Sequence, residues 1–188
     1  MFTFPLTDTA ELCPLEPHHA PEFAAFIERH RTHLSPWLPW AARLTDEPLT
    51  RAWLQRYADD TAHDGPRIYA IRLDGELVGG TLFRTFDVRF GTAEIGVWLA
   101  PDAQGHGLIT RAAQRMITWA VEERGINRVE WRTVPANARS IACAKRLGMT
   151  LDGVLREAFP YRGENHDVQV YSLLASEWRE TNAGTPRR

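Results

Sequence analysis

Residues 93–124 read A-E-I-G-V-W-L-A-P-D-A-Q-G-H-G-L-I-T-R-A-A-Q-R-M-I-T-W-A-V-E-E-R. The apolar run at 95–100 is too short for a typical helix and is closed by Pro101-Asp102, so it predicts a buried strand. Gln104-Gly105-His106-Gly107 then forms a glycine loop. Beyond it Ile109, Ala112, Ala113, Met116, Ile117, Ala120 and Val121 recur at helical spacing. Arg111, Gln114, Arg115, Thr118 and Glu122 fall on the opposite face. Gly125 marks the stop.

A strand, a glycine loop and a helix in that order make a place for an anion. The first amides of a helix lack intrahelical partners and lie at the positive end of its dipole, where they bind phosphate oxygens. Glycines let the anion approach the main chain. A phosphate- or pyrophosphate-bearing ligand is therefore expected, although a lone G-x-G is equally compatible with a plain tight turn. A Walker loop is excluded because it needs Gly-Lys-Ser/Thr, and Lys145 is the only lysine. A Rossmann fingerprint fails because Thr110 stands at its sixth position and no opening β-α-β unit surrounds it.

Outward from this centre the elements alternate. Upstream, residues 11–15 form a short strand interrupted by Pro14, and 18–30 a helix with Ala20, Phe23, Ala24, Phe26 and Ile27 as its apolar stripe. In Ser35-Pro36-Trp37-Leu38-Pro39-Trp40 two prolines exclude a regular helix, and two large aromatics in a loop need burial or a ligand. Residues 50–64 read as a second helix. Residues 68–73 and 77–86 read as strands joined by the hairpin signal Asp74-Gly75. Gly79-Gly80 within the second strand points to a bulge or a close approach. Residues 92–99 continue the meander. Downstream come a strand at 128–133 and a helix capped by Asn137 and ended by Leu147-Gly148. Strands at 151–156 and 168–174 follow, with a long hairpin loop at 160–165. The order β-α-α-β-β-β-α-β-α-β-β predicts an α/β (α+β) domain over 1–180 and a flexible tail at 181–188.

The chain has 188 residues, a hydrophobic fraction of 44%, a charged fraction of 24% and a net charge of −2. These values suit one soluble domain and argue against nucleic acid as partner. The N-terminus lacks a signal-peptide pattern and no long apolar run suggests a membrane span, so a cytoplasmic protein is expected. Cys13 and Cys143 supply neither a disulfide framework nor a metal pattern. His18, His19, His30 and His33 are not spaced to put three or four ligands on one site, so no metal is expected.

Gln104-Gly105-His106-Gly107-Leu108-Ile109 resembles motif A (Q/R-x-x-G-x-G/A) of the GNAT acetyltransferase superfamily, with Ile109 departing from its small final residue. The form Q-G-x-G-[LI]-[IM]-[ST] is similar to that of ribosomal-protein-serine N-acetyltransferases of the RimL type. The resemblance runs through Asn137-Ala138-Arg139-Ser140, the K-R-L-G-M segment at 145–149, the segment 166–174 and the S-P-W-L-P-W segment, covering residues 6–178. It implies a single mixed, mostly antiparallel sheet of six or seven strands, about four helices and a splayed central strand. It also implies acetyl-CoA as cofactor and an amine as acceptor, on a protein N-terminus or a small molecule.

That resemblance also distributes roles. Gln104, Gly105, His106, Gly107, Leu108, Ile109 and Thr110 would hold the pyrophosphate, with His106 and Thr110 either contacting it or merely belonging to loop and helix. Main-chain groups of Val97, Trp98 and Leu99 would meet the pantetheine arm. Asn137 would touch that arm, and Lys145 or Arg146 the nucleotide end. Ser140 would protonate the leaving thiol or else cap its helix. Trp37, Trp40, Tyr161 and Arg162 would line the acceptor site. The family's basic glutamate falls at Phe159. Glu157, two residues earlier, shares that face only in a regular strand and sits roughly 7 Å away. Glu94 is therefore the preferred base, acting through a water, unless it simply pairs with an arginine. His166-Asp167 matches the family's H-D pair, with Asp167 expected to fix the hairpin. Transfer of a larger acyl group such as succinyl, or a non-catalytic coenzyme-A-binding module, are the alternatives. Exposed aromatics and sheet edges also fit a homodimer.

Overall fold

The computed structural model describes residues 3–182. Among them are eight strands and six α-helices. They are β1 Phe4–Pro5, β2 Ala10–Pro14, α1 Ala20–Leu34, α2 Pro39–Arg43, α3 Glu47–Ala62, β3 Arg67–Leu73, β4 Glu76–Asp87 and β5 Thr92–Leu99. Then come α4 Leu108–Thr118, β6 Arg128–Thr133, α5 Ala138–Arg146, β7 Thr150–Tyr161, β8 Glu164–Leu174 and α6 Ala175–Asn182. The strand order is β1-β2-β3-β4-β5-β6-β8-β7. By contacts the chain divides into two compact units, Met1–Arg84 with Gly96–Ala113 and Thr85–Ile95 with Gln114–Arg188, so β4, β5 and α4 each pass from one unit into the other.

In the first unit β1 to β4 form an antiparallel ladder around Leu12, Phe23, Ile27, Leu54, Ile71 and Phe83. The Asp74-Gly75 turn has φ of 51° and 82°, as a two-residue hairpin matching strand twist requires. Opposite the Ile71/Arg72 step the ladder skips Val78, so the bulge expected near Gly79-Gly80 is present. A Cβ on Gly80 would lie 2.2 Å from Trp98 Cζ2 and 2.4 Å from the Tyr69 carbonyl oxygen. Position 80 therefore seats an indole.

In the second unit β6, β8 and β7 are antiparallel, over a core that includes Ile117, Val121, Ile126, Val129 and Trp131. The parallel pairing of β5 with β6 spans only Thr92↔Arg128 to Glu94↔Glu130. Asn127 and Arg128 both donate to the Gly91 carbonyl oxygen, fixing where that pairing begins. Helix α4 ends in a π-helical turn over Trp119–Glu123, and the Arg124 guanidinium lies 5.2 Å from the Trp119 ring centre. Gly125, at φ 69°, stops it as expected.

Among the described residues the sheet thus has eight strands rather than six or seven, and there are six α-helices rather than about four. The additional strand, β1, is two residues long and too short to carry a periodic signal. Helix α2 begins at Pro39, in the first turn, where the missing N–H breaks no intrahelical bond, so the prolines delimit a helix there instead of preventing one. The long loop expected at 160–165 is in fact a two-residue turn, Arg162-Gly163, with φ of 54° and 82°. Both closing strands run up to it. Of the tail expected at 181–188, residues 181 and 182 close α6, and 183–188 lie outside the described residues.

Candidate functional site

The glycine loop is built by local backbone geometry. A 3-10 turn, Pro101–Ala103, leads to Gln104 in extended conformation (φ −76°, ψ 160°). Gly105 and Gly107 follow with φ of 89° and 71°. Those angles are what the glycines supply, because a Cβ at either position would meet nothing within 4 Å. Ala103 and Leu108, at either end, are 3% and 1% exposed and anchor the loop. The first intrahelical bond of α4 runs from Arg111 N–H to the Gly107 carbonyl at 3.0 Å. The amides of Leu108, Ile109 and Thr110 precede that bond, giving donors at the positive helix end with open space beside the loop. His106 is exposed on the loop, and Ile109 and Thr110 are half-buried.

In the same unit, Val97 and Leu99 are half-buried and Trp98 is 3% exposed. Thr81 Oγ1 donates to the Gly96 carbonyl at 3.0 Å, and Ala100 N–H donates to the Val78 carbonyl at 2.8 Å. Trp98 meets Trp40 edge-on at 5.4 Å and Phe23 at 5.9 Å, and Trp53 stacks on Trp40 at 5.4 Å. The Trp98 indole N–H is buried and finds no hydrogen-bond partner among the described residues, which costs about 1–3 kcal/mol. The structure separates the two tryptophans of the S-P-W-L-P-W segment. Trp40 joins this cluster, whereas Trp37 remains 39% exposed. Sequence reasoning missed Trp53, although its place in an amphipathic helix was the available signal. It also missed His33, whose Nε2 lies 3.3 Å from Gln104 Nε2.

In the second unit Asn137 is the N-cap of α5, its Oδ1 accepting from Ser140 N–H at 3.1 Å. Ser140 is therefore relieved of capping. Its Oγ instead accepts the Trp131 indole N–H at 2.8 Å, which leaves the hydroxyl proton available to donate. Trp131 went unnoticed because the contact joins a strand to a helix nine residues away. Lys145 and Arg146 are exposed in the last turn of α5.

Glu94 is 8% exposed, with its carboxylate 3.7 Å from Arg132 Nε. Arg132 also binds Glu130 (2.9 Å), which binds Arg128 (2.9 Å), which in turn binds Asp152. Burial raises the Glu130 carboxyl, but the hydrogen bonds from Arg128 and Arg132 outweigh it and hold the group below the usual range. Arg128 does the same for Asp152. Phe159, expected from the resemblance at the place of the glutamate, packs 5.4 Å from Tyr161 and 6.2 Å from His166. The premise that Glu157 shares its face fails. The register jumps from Leu155↔Val168 to Phe159↔His166, and Glu157 sits at φ 52° with its N–H donated to Asp167 Oδ1 at 2.9 Å. Asp167 thus fixes a wide bulge in the hairpin. Among the described residues no group of three or more His, Cys, Asp or Glu is arranged to hold a metal, and no helix is long and apolar enough to cross a membrane.

A glycine loop opening a helix, after a strand whose pairing with β6 runs only from Thr92 to Glu94, matches the arrangement that the resemblance implies for a coenzyme A-dependent acyltransferase. The family described as Acetyltransferase (GNAT) domain matches residues 10–150, and the chain belongs to it. The chain is 33% identical over 183 residues to the ribosomal N-acetyltransferase candidate YdaF of Bacillus subtilis (strain 168), covering 95% of this chain and 98% of that one. Among solved structures it resembles RimL, a ribosomal L7/L12 alpha-N-protein acetyltransferase in complex with coenzyme A. The TM-score there is 0.89 at 25% identity, over 94% of this chain and 99% of that one. It also resembles the microcin C7 self-immunity acetyltransferase MccE in complex with acetyl-CoA and AMP, with TM-score 0.85 at 25% identity over 90% and 94%. The protein is an acetyl-CoA-dependent N-acetyltransferase. The open, left-handed turns at Gly105 and Gly107 ahead of the first-turn amides fit the cofactor's pyrophosphate.

Proposed function

We propose that the acceptor is the α-amine of a protein N-terminus. What carries this is Phe159, an aromatic ring at the position where the resemblance to RimL-type enzymes would put a glutamate. Without a strong base at that position, the amine must already be partly neutral. An α-amine with a pKa near 7.7–8.0 is roughly a tenth neutral at pH 7. A lysine near 10.4 carries a few hundredfold less free base, a handicap of about 3.5 kcal/mol. YdaF and RimL, by their names, act on ribosomal proteins, which supports a protein acceptor.

When bound, acetyl-CoA supplies an acetyl thioester and a thiol leaving group. Amides of the segment Gln104 to Thr110 hold its phosphates, and main-chain groups of Val97, Trp98 and Leu99 align the arm and carbonyl. A single well-aimed backbone donor at the carbonyl oxygen is worth about 2.7–4 kcal/mol. Ser140, whose oxygen accepts from Trp131, would have its hydroxyl proton available for the leaving thiol. Asn137 and Lys145 hold the arm and the nucleotide end. Glu94, steadied by Arg132, accepts the amine's proton through a water. Trp37 and Trp40 of the first unit, and Phe159 and Tyr161 of the second, are each candidates for contact with the acceptor.

The reading includes a cytoplasmic location and a homodimer. Supporting the latter, Leu151, Val154 and Leu155 are exposed on β7, the terminal strand. The test is mass spectrometry of cell extract incubated with labelled acetyl-CoA. Label on the α-nitrogen of one protein N-terminus is the expected result. Label on lysine side chains, or none, overturns the proposal, and faster turnover with succinyl-CoA overturns the acetyl donor.

A further inference from the structure

Four residues, 104 to 107, bridge the buried side chains of Ala103 and Leu108. Two of the four are glycines at positive φ, so local backbone preference does little to hold the bridge in one shape. A tie from elsewhere in the unit is present. His33, near the end of α1, places Nε2 3.3 Å from the side-chain Nε2 of Gln104, 71 positions away in sequence. With His33 protonated on Nδ1, its Nε2 accepts a hydrogen from the Gln104 amide. His33 itself stands on a fixed platform. Arg31, two residues earlier, donates to the carbonyls of Ala41 and Leu44 and binds Glu28 at 2.7 Å. His30, one turn back on the same helix, feels the charge of Asp102 at the loop's entry, while burial pushes its imidazole down from the usual value.

We propose that His33 is a positioning residue for the cofactor loop. By holding the Gln104 side chain it fixes the loop's entry, so that Gly105, Gly107 and the first amides of α4 are already set for two linked phosphates. This rests on the reading that the loop at 104–110 grips the pyrophosphate. The effect is expected at the phosphate end of the ligand, because the hydrogen bond of His33 reaches the loop at Gln104. The net worth of one neutral hydrogen bond corresponds to a loss of roughly two- to tenfold in affinity.

The test compares coenzyme A, by calorimetry, with pantetheine, which has the same thiol arm and no phosphate, by ligand-observed NMR. His33→Ala is expected to weaken coenzyme A about three- to tenfold and to leave pantetheine within twofold. His33→Gln, whose side-chain oxygen can accept from the Gln104 amide, restores the coenzyme affinity. Gln104→Ala loses as much as His33→Ala, and the double variant loses no more than either single one. Unchanged coenzyme binding in His33→Ala, equal loss of both ligands, or additive losses in the double variant overturns the proposal. A wild-type protein that ignores coenzyme A sinks the underlying loop reading, a result visible before any variant is made.

Discussion

Placing a side chain at Gly105 or Gly107 perturbs the loop with little steric ambiguity. A Cβ at either site meets nothing within 4 Å, so no clash contributes. What remains is the backbone conformation, φ 89° at Gly105 and 71° at Gly107. An L-residue held in left-handed geometry costs about 1–2 kcal/mol. Gly107 lies close to the favoured left-handed value of about 57°, whereas Gly105 lies some 30° beyond it. Gly107→Ala therefore belongs at the low end of that range and Gly105→Ala at the high end. For a chain of this size 1 kcal/mol moves the melting temperature by about 2–4 °C, giving drops of roughly 2–4 °C and 4–8 °C. If the loop relaxes to avoid the cost, the loss moves to coenzyme A affinity, where 1.4 kcal/mol is tenfold. Thermal melts and calorimetric titrations of the same samples capture both routes. Gly153→Ala is the control, since it too has open space but no positive φ, and it should be neutral or stabilising by up to about 1 kcal/mol. If Gly105→Ala and Gly107→Ala both leave melting temperature and affinity unchanged, the reasoning is wrong.

Three further outcomes are expected. Ser140→Ala strands the Trp131 indole N–H, which belongs to a residue only 2% exposed, and should cost about 1–3 kcal/mol in urea denaturation. It should also lower kcat, less so with a thioester whose thiol leaves more readily; a stability loss with unchanged kcat would make Ser140 purely structural. Gly80→Ala forces a methyl against Trp98 and the Tyr69 carbonyl, an overpacking cost of about 1–3 kcal/mol by chemical denaturation, and wild-type stability would show that the indole seat is looser than described. Glu130 has a lowered folded pKa, so its contribution is present above the unfolded value of about 4.3 and disappears as pH falls through the folded one. The stability gap between wild type and Glu130→Gln should accordingly narrow below about pH 5, and a gap constant down to pH 3 would contradict the ion-pair ladder.

Local chemistry made much of the fold legible. The bounds of β5 and β6, the Asn137 cap, the Gly125 stop and the Asp74-Gly75 hairpin all depend on residues within a few positions of one another. The strand, glycine loop and helix that open α4 were legible for the same reason. What escaped is set by contacts between distant segments. Nothing near Glu157 announces that Asp167 will draw its N–H into a wide bulge, so a regular strand was the natural expectation. Sequence alone leaves Ser140 between proton donor and helix cap, because the Trp131 indole that holds its oxygen belongs to a different element. The spacing of the four histidines argued against a metal, but nothing in it showed that His33 would meet the side-chain amide of Gln104, 71 positions away. Helix α2 was hidden by Pro39, whose meaning depends on whether it opens a helix or interrupts one.

Cofactor binding turns on main-chain donors at 105–110 receiving the phosphates. The direct measurement is an NMR titration of the labelled protein with coenzyme A, following backbone amides. The largest saturating shifts should fall on Gly105, Gly107, Leu108, Ile109 and Thr110, and pantetheine should leave those resonances nearly still. Coenzyme A that binds while these amides stay unmoved would contradict it.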